Sequence, residues 1–260
     1  MKRMDQISFS NEKYRKRREC SQEFKARLIG LMERSDRTGR QRVLDIGCGT
    51  GVNSARMREM GHEVFGVDIS AEAIEKYNAA GMNGVVADIE ADALPFDDGF
   101  FDAVLMSEVI EHLYSTDAVI KNMGRVLRKG GTLILSTPNS AFFLYRIIQM
   151  TGKTCTELQH PCHIRYFSMK SLASILRANG FKLTGRMGNN IFAVLPARIV
   201  YSVFRMAGIG ESAVNRIMGL LSFKYEAGLI HGDKFMLSFF SKHGISFFSN
   251  VLMVKAVKET

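Results

Sequence analysis

The stretch Val43-Leu44-Asp45-Ile46-Gly47-Cys48-Gly49-Thr50-Gly51 constrains this chain more than any other. Four residues of strand character break into three glycines at alternate positions, and beyond Val52 the apolar residues Ala55, Met57 and Met60 return at helical spacing. A strand, a glycine turn and a helix N-terminus make a ligand cradle. Glycine admits positive φ and close approach of a bound molecule, and the first N–H groups of the helix face it. The spacing separates two nucleotide-type readings. A dinucleotide turn reads G-x-G-x-x-G and seats a pyrophosphate on the helix N-terminus. Here Gly47, Gly49 and Gly51 alternate, and Asp45 stands two positions before the first glycine. A carboxylate there repels a pyrophosphate and suits a ligand with a cationic amino group, which disfavours a nicotinamide-dependent dehydrogenase.

The pieces downstream keep a fixed order. A strand over His62–Val67 ends in Asp68, 19 residues after Gly49, about where a Rossmann-type fold places an acid for the ribose hydroxyls. Ser70 can cap the following helix, Ala71–Ala80, while Asp68 binds. A third strand, Gly84–Ile89, carries Asp88 near its end, and a fourth, Ala103–Met106, runs into Ser107-Glu108-Val109-Ile110-Glu111-His112-Leu113. A helix over Asp117–Leu127 leads through Lys129-Gly130-Gly131 to a fifth strand, Thr132–Ser136. Ala141–Met150 has helical character. Met169–Asn179 is an amphipathic helix between a Ser168 cap and Gly180, and strands follow over Phe181–Met187 and Phe247–Val257.

On these residues the chain resembles the class I S-adenosylmethionine-dependent methyltransferases, whose first motif has the form D-x-G-x-G-x-G. The likeness runs over about residues 40–187 and again over 247–257, and includes the loop Ala93–Asp102 that leads such enzymes into their fourth strand. It implies an α/β fold: a Rossmann-like, seven-stranded, mostly parallel sheet with helices on both faces and a helical insertion before the last strand. The corresponding divisions are a basic helical lid (1–42), a cofactor-binding core (43–187), an amphipathic insertion (188–246) and a final core strand (247–260). It also implies S-adenosylmethionine as cofactor. Asp45, Gly47, Cys48, Gly49 and Gly51 would form its cradle, Asp68 would take the ribose with Ile69 beside the adenine, Asp88 and Ile89 would hold the adenine, and Ser107 would complete the contacts.

Methyl transfer from a sulfonium is an in-line displacement on an activated carbon, so the enzyme's tasks are alignment and, for a hydroxyl acceptor, removal of a proton. Ligands of open parallel sheets lie beyond the carboxyl ends of the strands, which places Ser107–Leu113 beside the reacting methyl. If that segment is helical, Glu108, Glu111 and His112 stand at i, i+3 and i+4 on one face. His112 leads as base, followed by Glu108 and Glu111. With His163 the run resembles the Glu-x-x-Glu-His plus distant His of the small-RNA 3′-terminal 2′-O-methyltransferases, and a similar run occurs in the ubiquinone-pathway O-methyltransferases. That likeness implies Mg²⁺ or Mn²⁺ on Glu108, Glu111, His112 and His163. Zinc on Cys155, His160, Cys162 and His163 fits no standard spacing.

Charge bounds the partners. Residues 1–42 carry net +7, residues 43–135 net −8 and residues 136–260 net +10, so an acidic middle is flanked by basic ends. Within residues 188–246, Ile199, Val200, Val203, Phe204 and Ala207 form an apolar stripe opposite Arg198, Ser202 and Arg205. Such an insertion can cover a substrate cleft, lie on an anionic membrane surface or form a homodimer face. An N-terminal lid helix is expected around Ser21–Arg34. The Lys- and Arg-rich N-terminus reads unlike a secretory signal, no apolar run reaches the roughly 20 residues of a span, and Cys20, Cys48, Cys155 and Cys162 show no disulfide framework. These features point to a cytoplasmic enzyme with a peripheral membrane contact. O-methylation of a small or lipid-linked acceptor (quinone-like or glycan) is the expected chemistry. A metal-dependent RNA 2′-O-methyltransferase and a non-catalytic cofactor-binding partner domain remain alternatives.

Overall fold

The computed structural model describes residues 28–30, 39–190 and 249–259. Seven strands form one sheet in the order β3-β2-β1-β4-β5-β7-β6. They are β1 (Arg42–Ile46), β2 (Glu63–Asp68), β3 (Asn83–Val86), β4 (Phe101–Ser107), β5 (Leu127–Pro138), β6 (Phe181–Asn190) and β7 (Ser249–Lys258). The first five run parallel to one another, whereas β7 is antiparallel to both β5 and β6. The seven-stranded, mostly parallel sheet expected from the motif order is therefore present.

Parallel strands covered on both faces read as continuous apolar runs, and β1 and β4 show why. Leu44 and Ile46 join Val104 and Met106 in one core cluster, while Val43 joins Ala103 and Leu105 in another on the opposite face. Helices α3 (Thr116–Val126) and α6 (Met169–Ala178) supply Val119, Ile120, Met123, Leu172 and Leu176 to the first cluster. Helix α1 (Val52–Glu59) supplies Met57 to the second, as do the helical residues Leu28 and Ile29. Burying each of those two side chains contributes about 1.5–3 kcal/mol, so this part of the expected N-terminal helix packs on the sheet. The remainder of the expected lid at Ser21–Arg34, and residues 191–246 of the expected insertion, lie outside the described residues.

Strand order reverses between β1 and β4, which flank the crevice where open α/β sheets take ligands. Everything that follows concerns the carboxyl ends of these strands and of β2 and β5.

Several boundaries differ from the sequence reading. β3 stops at Val86, so Asp88 and Ile89 stand in a loop; Asp88 Oδ1 accepts there from the N–H groups of Glu90 at 3.0 Å and Ala91 at 3.3 Å, closing a turn the strand pattern concealed. β5 begins at Leu127, well before Thr132. Its register against β4 jumps from Phe101↔Leu127 to Ala103↔Thr132, and the Lys129-Gly130-Gly131 segment forms an irregularity inside the strand. β6 continues past Met187 to Asn190 because β7 keeps pairing with it, which moves the end of that core segment beyond residue 187. Elsewhere the local signals hold. Ser70 caps α2 (Ala71–Ala79) by accepting from Ala73 N–H at 3.2 Å, and Ser168 caps α6 with Gly180 following at φ 79°.

Candidate active site

The glycine turn is tied to the end of β2. The N–H groups of Gly47 and Cys48 both donate to the Val67 carbonyl, at 2.8 and 3.2 Å. Gly49 N–H donates to Asp68 Oδ2 at 2.9 Å, and Ser70 N–H donates to Asp68 Oδ1 at the same distance. Asp68 thus bridges the turn and the start of α2 from the carboxyl end of β2. Gly47 and Gly51 have φ of 70° and 88°. A Cβ at Gly47 would fall 2.3 Å from Val109 Cγ2, and one at Gly51 would fall 2.2 Å from Met82 Cε. The first contact is the more informative, because it shows the turn after β4 pressed directly on the glycine turn.

Asp45 lies beneath the turn at 1% exposure. Ser54, in the first turn of α1, donates to its Oδ2 at 2.6 Å. Burial raises the carboxyl pKa from 3.8 to about 7; the Ser54 hydrogen bond opposes that rise and the Asp68 charge adds to it. Burial also raises the Cys48 thiol, helped by the charges of Asp45 and Asp68, which makes it an unreactive wall of the cradle. Ser54 is a residue the motif reading missed. Its place nine residues after Asp45, one turn into the helix that the glycines launch, was the available signal. Ile69 and Ile89 are half-buried, the latter packed against the main core cluster.

After β4 the chain does not continue as an α-helix. Glu108 has φ 55°, the left-handed region, and is alone among the described non-glycine residues in having positive φ. Its N–H donates to the Ser136 carbonyl at 3.1 Å, so the β4–β5 pairing extends to the point where the backbone reverses. Strained backbone of this kind costs on the order of 1–3 kcal/mol and persists where surrounding structure enforces it. Only Ile110–His112 then forms one 3₁₀ turn. The expected single helical face carrying Glu108, Glu111 and His112 is therefore not formed. Ser107, also expected at the cofactor, lies 3.2 Å from Ser136 through their hydroxyls.

A different convergence replaces that face. Ligand atoms of Glu111, His112 and His163 all lie within 4.8 Å of one another. Glu108 is outside this group. The Glu111 carboxylate is buried at 1% exposure and accepts from Thr137 Oγ1 at 3.0 Å, with its Oε1 lying 4.0 Å from His112 Nε2. His112 Nδ1 is 3.0 Å from the Cys162 carbonyl. A carbonyl only accepts, so Nδ1 carries a proton, and in its neutral form the ring presents its lone pair on Nε2. His163 Nδ1 lies 3.2 Å from Gln159 Oε1, which places its lone pair on Nε2 in the same way. The two rings meet edge to face with centroids 4.9 Å apart.

His163 arrives from about fifty residues away because its loop is bonded to the turn. The N–H groups of Ile164 and Arg165 donate to the Glu111 carbonyl at 2.9 and 3.0 Å. The Arg165 guanidinium donates to the carbonyls of Leu113 and Tyr114. One carboxylate and two imidazoles with proton-bearing Nδ1 atoms make a donor set that suits a divalent transition metal. His160 accepts from Cys162 N–H through Nδ1 at 3.2 Å, so it presents the opposite tautomer; Cys155 pairs with Gln149. The Cys155, His160, Cys162 and His163 grouping considered for zinc is not assembled.

Comparison with known proteins decides the family. The methyltransferase-domain family model matches residues 13–185. The chain belongs to the methyltransferase-domain family. Among curated relatives of this chain, a ubiquinone biosynthesis O-methyltransferase of Xanthomonas oryzae pv. oryzae is 35% identical over 121 residues, 44% of this chain and 49% of that protein. The chain thus spans about half the length of that relative. A ubiquinone biosynthesis O-methyltransferase of Bordetella avium is 29% identical over 206 residues, covering 74% of this chain and 80% of its own. Among solved structures, an S-adenosylmethionine-dependent methyltransferase from Archaeoglobus fulgidus superposes with a TM-score of 0.59 at 20% identity, over 96% of this chain and 99% of its own. The sheet order, with its antiparallel β7 beside β5, is the Rossmann-like fold shared by this family and that structure.

Proposed function

We propose that this methyltransferase moves a methyl group from S-adenosylmethionine to a hydroxyl oxygen of a small or lipid-linked acceptor. The observation that carries the reading is the placement of His112 Nε2, with its lone pair toward Glu111 and His163, on a turn that touches the glycine cradle through Val109 and Gly47. The names of the Xanthomonas and Bordetella relatives support an oxygen acceptor carried on a lipid.

The residues of the chain divide the work. Asp68 stands where it can accept from vicinal hydroxyls at the end of β2 while it holds Gly49 and Ser70. Asp45, Gly47, Cys48, Gly49 and Gly51 shape the crevice for the amino-acid part of the donor, and Ile69, Asp88, Ile89 and Ser107 border the rest. S-adenosylmethionine supplies a methyl carbon already activated by its sulfonium. The acceptor oxygen forms the new C–O bond as the C–S bond breaks, and His112 Nε2 takes the hydroxyl proton, leaving S-adenosylhomocysteine and a methyl ether. Glu111, His112 and His163 would hold a Mn²⁺ or Mg²⁺ ion, which would lower the hydroxyl pKa and orient the acceptor. Among the described residues no helix is long and apolar enough to cross a membrane.

The test uses S-adenosylmethionine labelled in its methyl group, with membrane lipid extract as acceptor. Label is expected in the organic phase with the wild-type protein. His112→Ala is expected to reduce that transfer at least ~100-fold, the scale of a lost general base, with S-adenosylmethionine affinity unchanged by calorimetry. Cofactor binding with no transfer to any extract, or full transfer by His112→Ala, would refute the reading. NAD binding at comparable strength would refute the cofactor assignment.

A further inference from the structure

Thr137 sits at the carboxyl end of β5, and nothing in its local sequence marks it out. Strand alternation puts it on the face of Leu133 and Leu135, both in the core cluster that also contains Ile110 from the 3₁₀ turn. Its register partner across β7 is Leu252, and both are fully buried. Among these apolar neighbours its hydroxyl donates to Glu111 Oε2 at 3.0 Å.

We infer that Thr137 is the positioning residue of the active-site cluster, holding the Glu111 carboxylate by one oxygen so that the other faces the imidazoles of His112 and His163. A carboxylate at 1% exposure needs a hydrogen-bond donor in place of the water it has lost. A carboxyl group also has a soft terminal torsion, so its rotation is set by whatever bonds it. Thr137 supplies both. Oε2 is engaged on the strand side, and Oε1 is left 4.0 Å from His112 Nε2. The imidazoles receive matching support, His112 through the Cys162 carbonyl and His163 through the Gln159 amide. Each member of the cluster is thus bonded by a group that is not itself one of the three ligands. β5 fixes the carboxylate, and the Cys155–Tyr166 region fixes the rings. The inference rests on the proposed site but not on the identity of the acceptor.

Mn²⁺ titration of the purified full chain, followed by the paramagnetic resonance of the free ion, provides the test. Wild type, Thr137→Val, Thr137→Ser and His112→Ala are compared, with S-adenosylmethionine affinity measured on each as the check that the cradle is intact. Valine keeps the shape and removes the donor; serine keeps the donor and removes a methyl. Loss of a bond to a metal ligand costs roughly 10–100-fold in metal affinity, so Thr137→Val is expected to weaken Mn²⁺ binding at least ~10-fold with cofactor affinity intact. Thr137→Ser is expected to stay within about threefold of wild type. Wild-type affinity in Thr137→Val, with binding lost in His112→Ala, overturns the role of Thr137 and leaves the metal reading standing. Equal loss in the serine and valine variants also overturns it, since packing and not the hydroxyl would then matter. Absence of Mn²⁺ binding in the wild type overturns the metal reading and this inference with it.

Discussion

Asp45 should make the stability of this protein depend on pH in a window set by its burial. In the unfolded chain its carboxyl titrates near 3.8, and in the folded protein near 7, because burial beneath the glycine turn disfavours the charge more than Ser54 relieves it. Below about pH 4 the group is protonated in both states and contributes no pH dependence. Between about pH 4 and 7 the folded protein holds a proton that the unfolded chain has released, so stability falls as pH rises. At 1.36 kcal/mol for each pH unit of separation, the accumulated loss from this carboxyl is about 4 kcal/mol by pH 7, and it is constant above that. Asp45→Asn has no proton to lose, and its amide oxygen can still accept from Ser54. The assay is urea denaturation followed by circular dichroism between pH 4 and 8. The difference in unfolding free energy, variant minus wild type, should climb by about 4 kcal/mol across the window and then level. A difference that stays constant within about 1 kcal/mol over the whole range would show that Asp45 titrates as an ordinary surface carboxylate and that its burial has been misjudged. The same ionisation governs a ligand bearing an ammonium group, which gains from Asp45 only in its charged form. Wild-type affinity for S-adenosylmethionine should therefore rise with pH through about 7, and that of Asp45→Asn should not.

Two further substitutions test the cradle itself. Gly47→Ala forces a side chain into φ 70° and sets its Cβ 2.3 Å from Val109 Cγ2. The left-handed conformation alone costs about 1–2 kcal/mol, and displacement of Val109 shifts the turn bearing Glu111 and His112. Thermal melting should show a midpoint lowered by several degrees, with loss of both cofactor binding and transfer; a variant that melts and binds like wild type would disprove the contact. Asp68→Ala removes the acceptor for Gly49 and Ser70 N–H. It should destabilise the fold by about 1–3 kcal/mol and weaken S-adenosylmethionine more than ~10-fold, as calorimetry would register. Unchanged affinity would remove the ribose assignment.

What could be read from the sequence was what is decided locally. Alternating glycines permit a tight turn whatever surrounds them, and Gly47, Gly49 and Gly51 all take positive φ. Ser70 and Ser168 announce helix starts because the capping bond spans three residues, and both caps are made. The acidic ends of β1 and β2 follow from strand length and crossover length, which the periodicity carries. Asp88 reads as a strand end but lies in the loop after β3, because a side chain that closes a turn leaves the same acid-after-apolar pattern as one that ends a strand.

The cluster was only half legible for a reason the geometry makes plain. Spacing of three and four residues brings side chains together only on a helix, and Glu108 breaks that premise, since its N–H is held by Ser136 while its φ turns positive. Glu111 and His112 still come together, through a single 3₁₀ turn that does not carry the spacing rule back to Glu108. Their remaining partners come from chain-distant backbone pairing. His163 depends on Ile164 and Arg165 bonding the Glu111 carbonyl, and Thr137 depends on the register of β5 between β4 and β7. Once that register is known, the parity of Thr137 with Leu133 and Leu135 directs its hydroxyl to the Ile110–His112 side of the sheet. Residues that bond to the site from a neighbouring strand are therefore recovered from register, and residues that turn the backbone into it are recovered from motif.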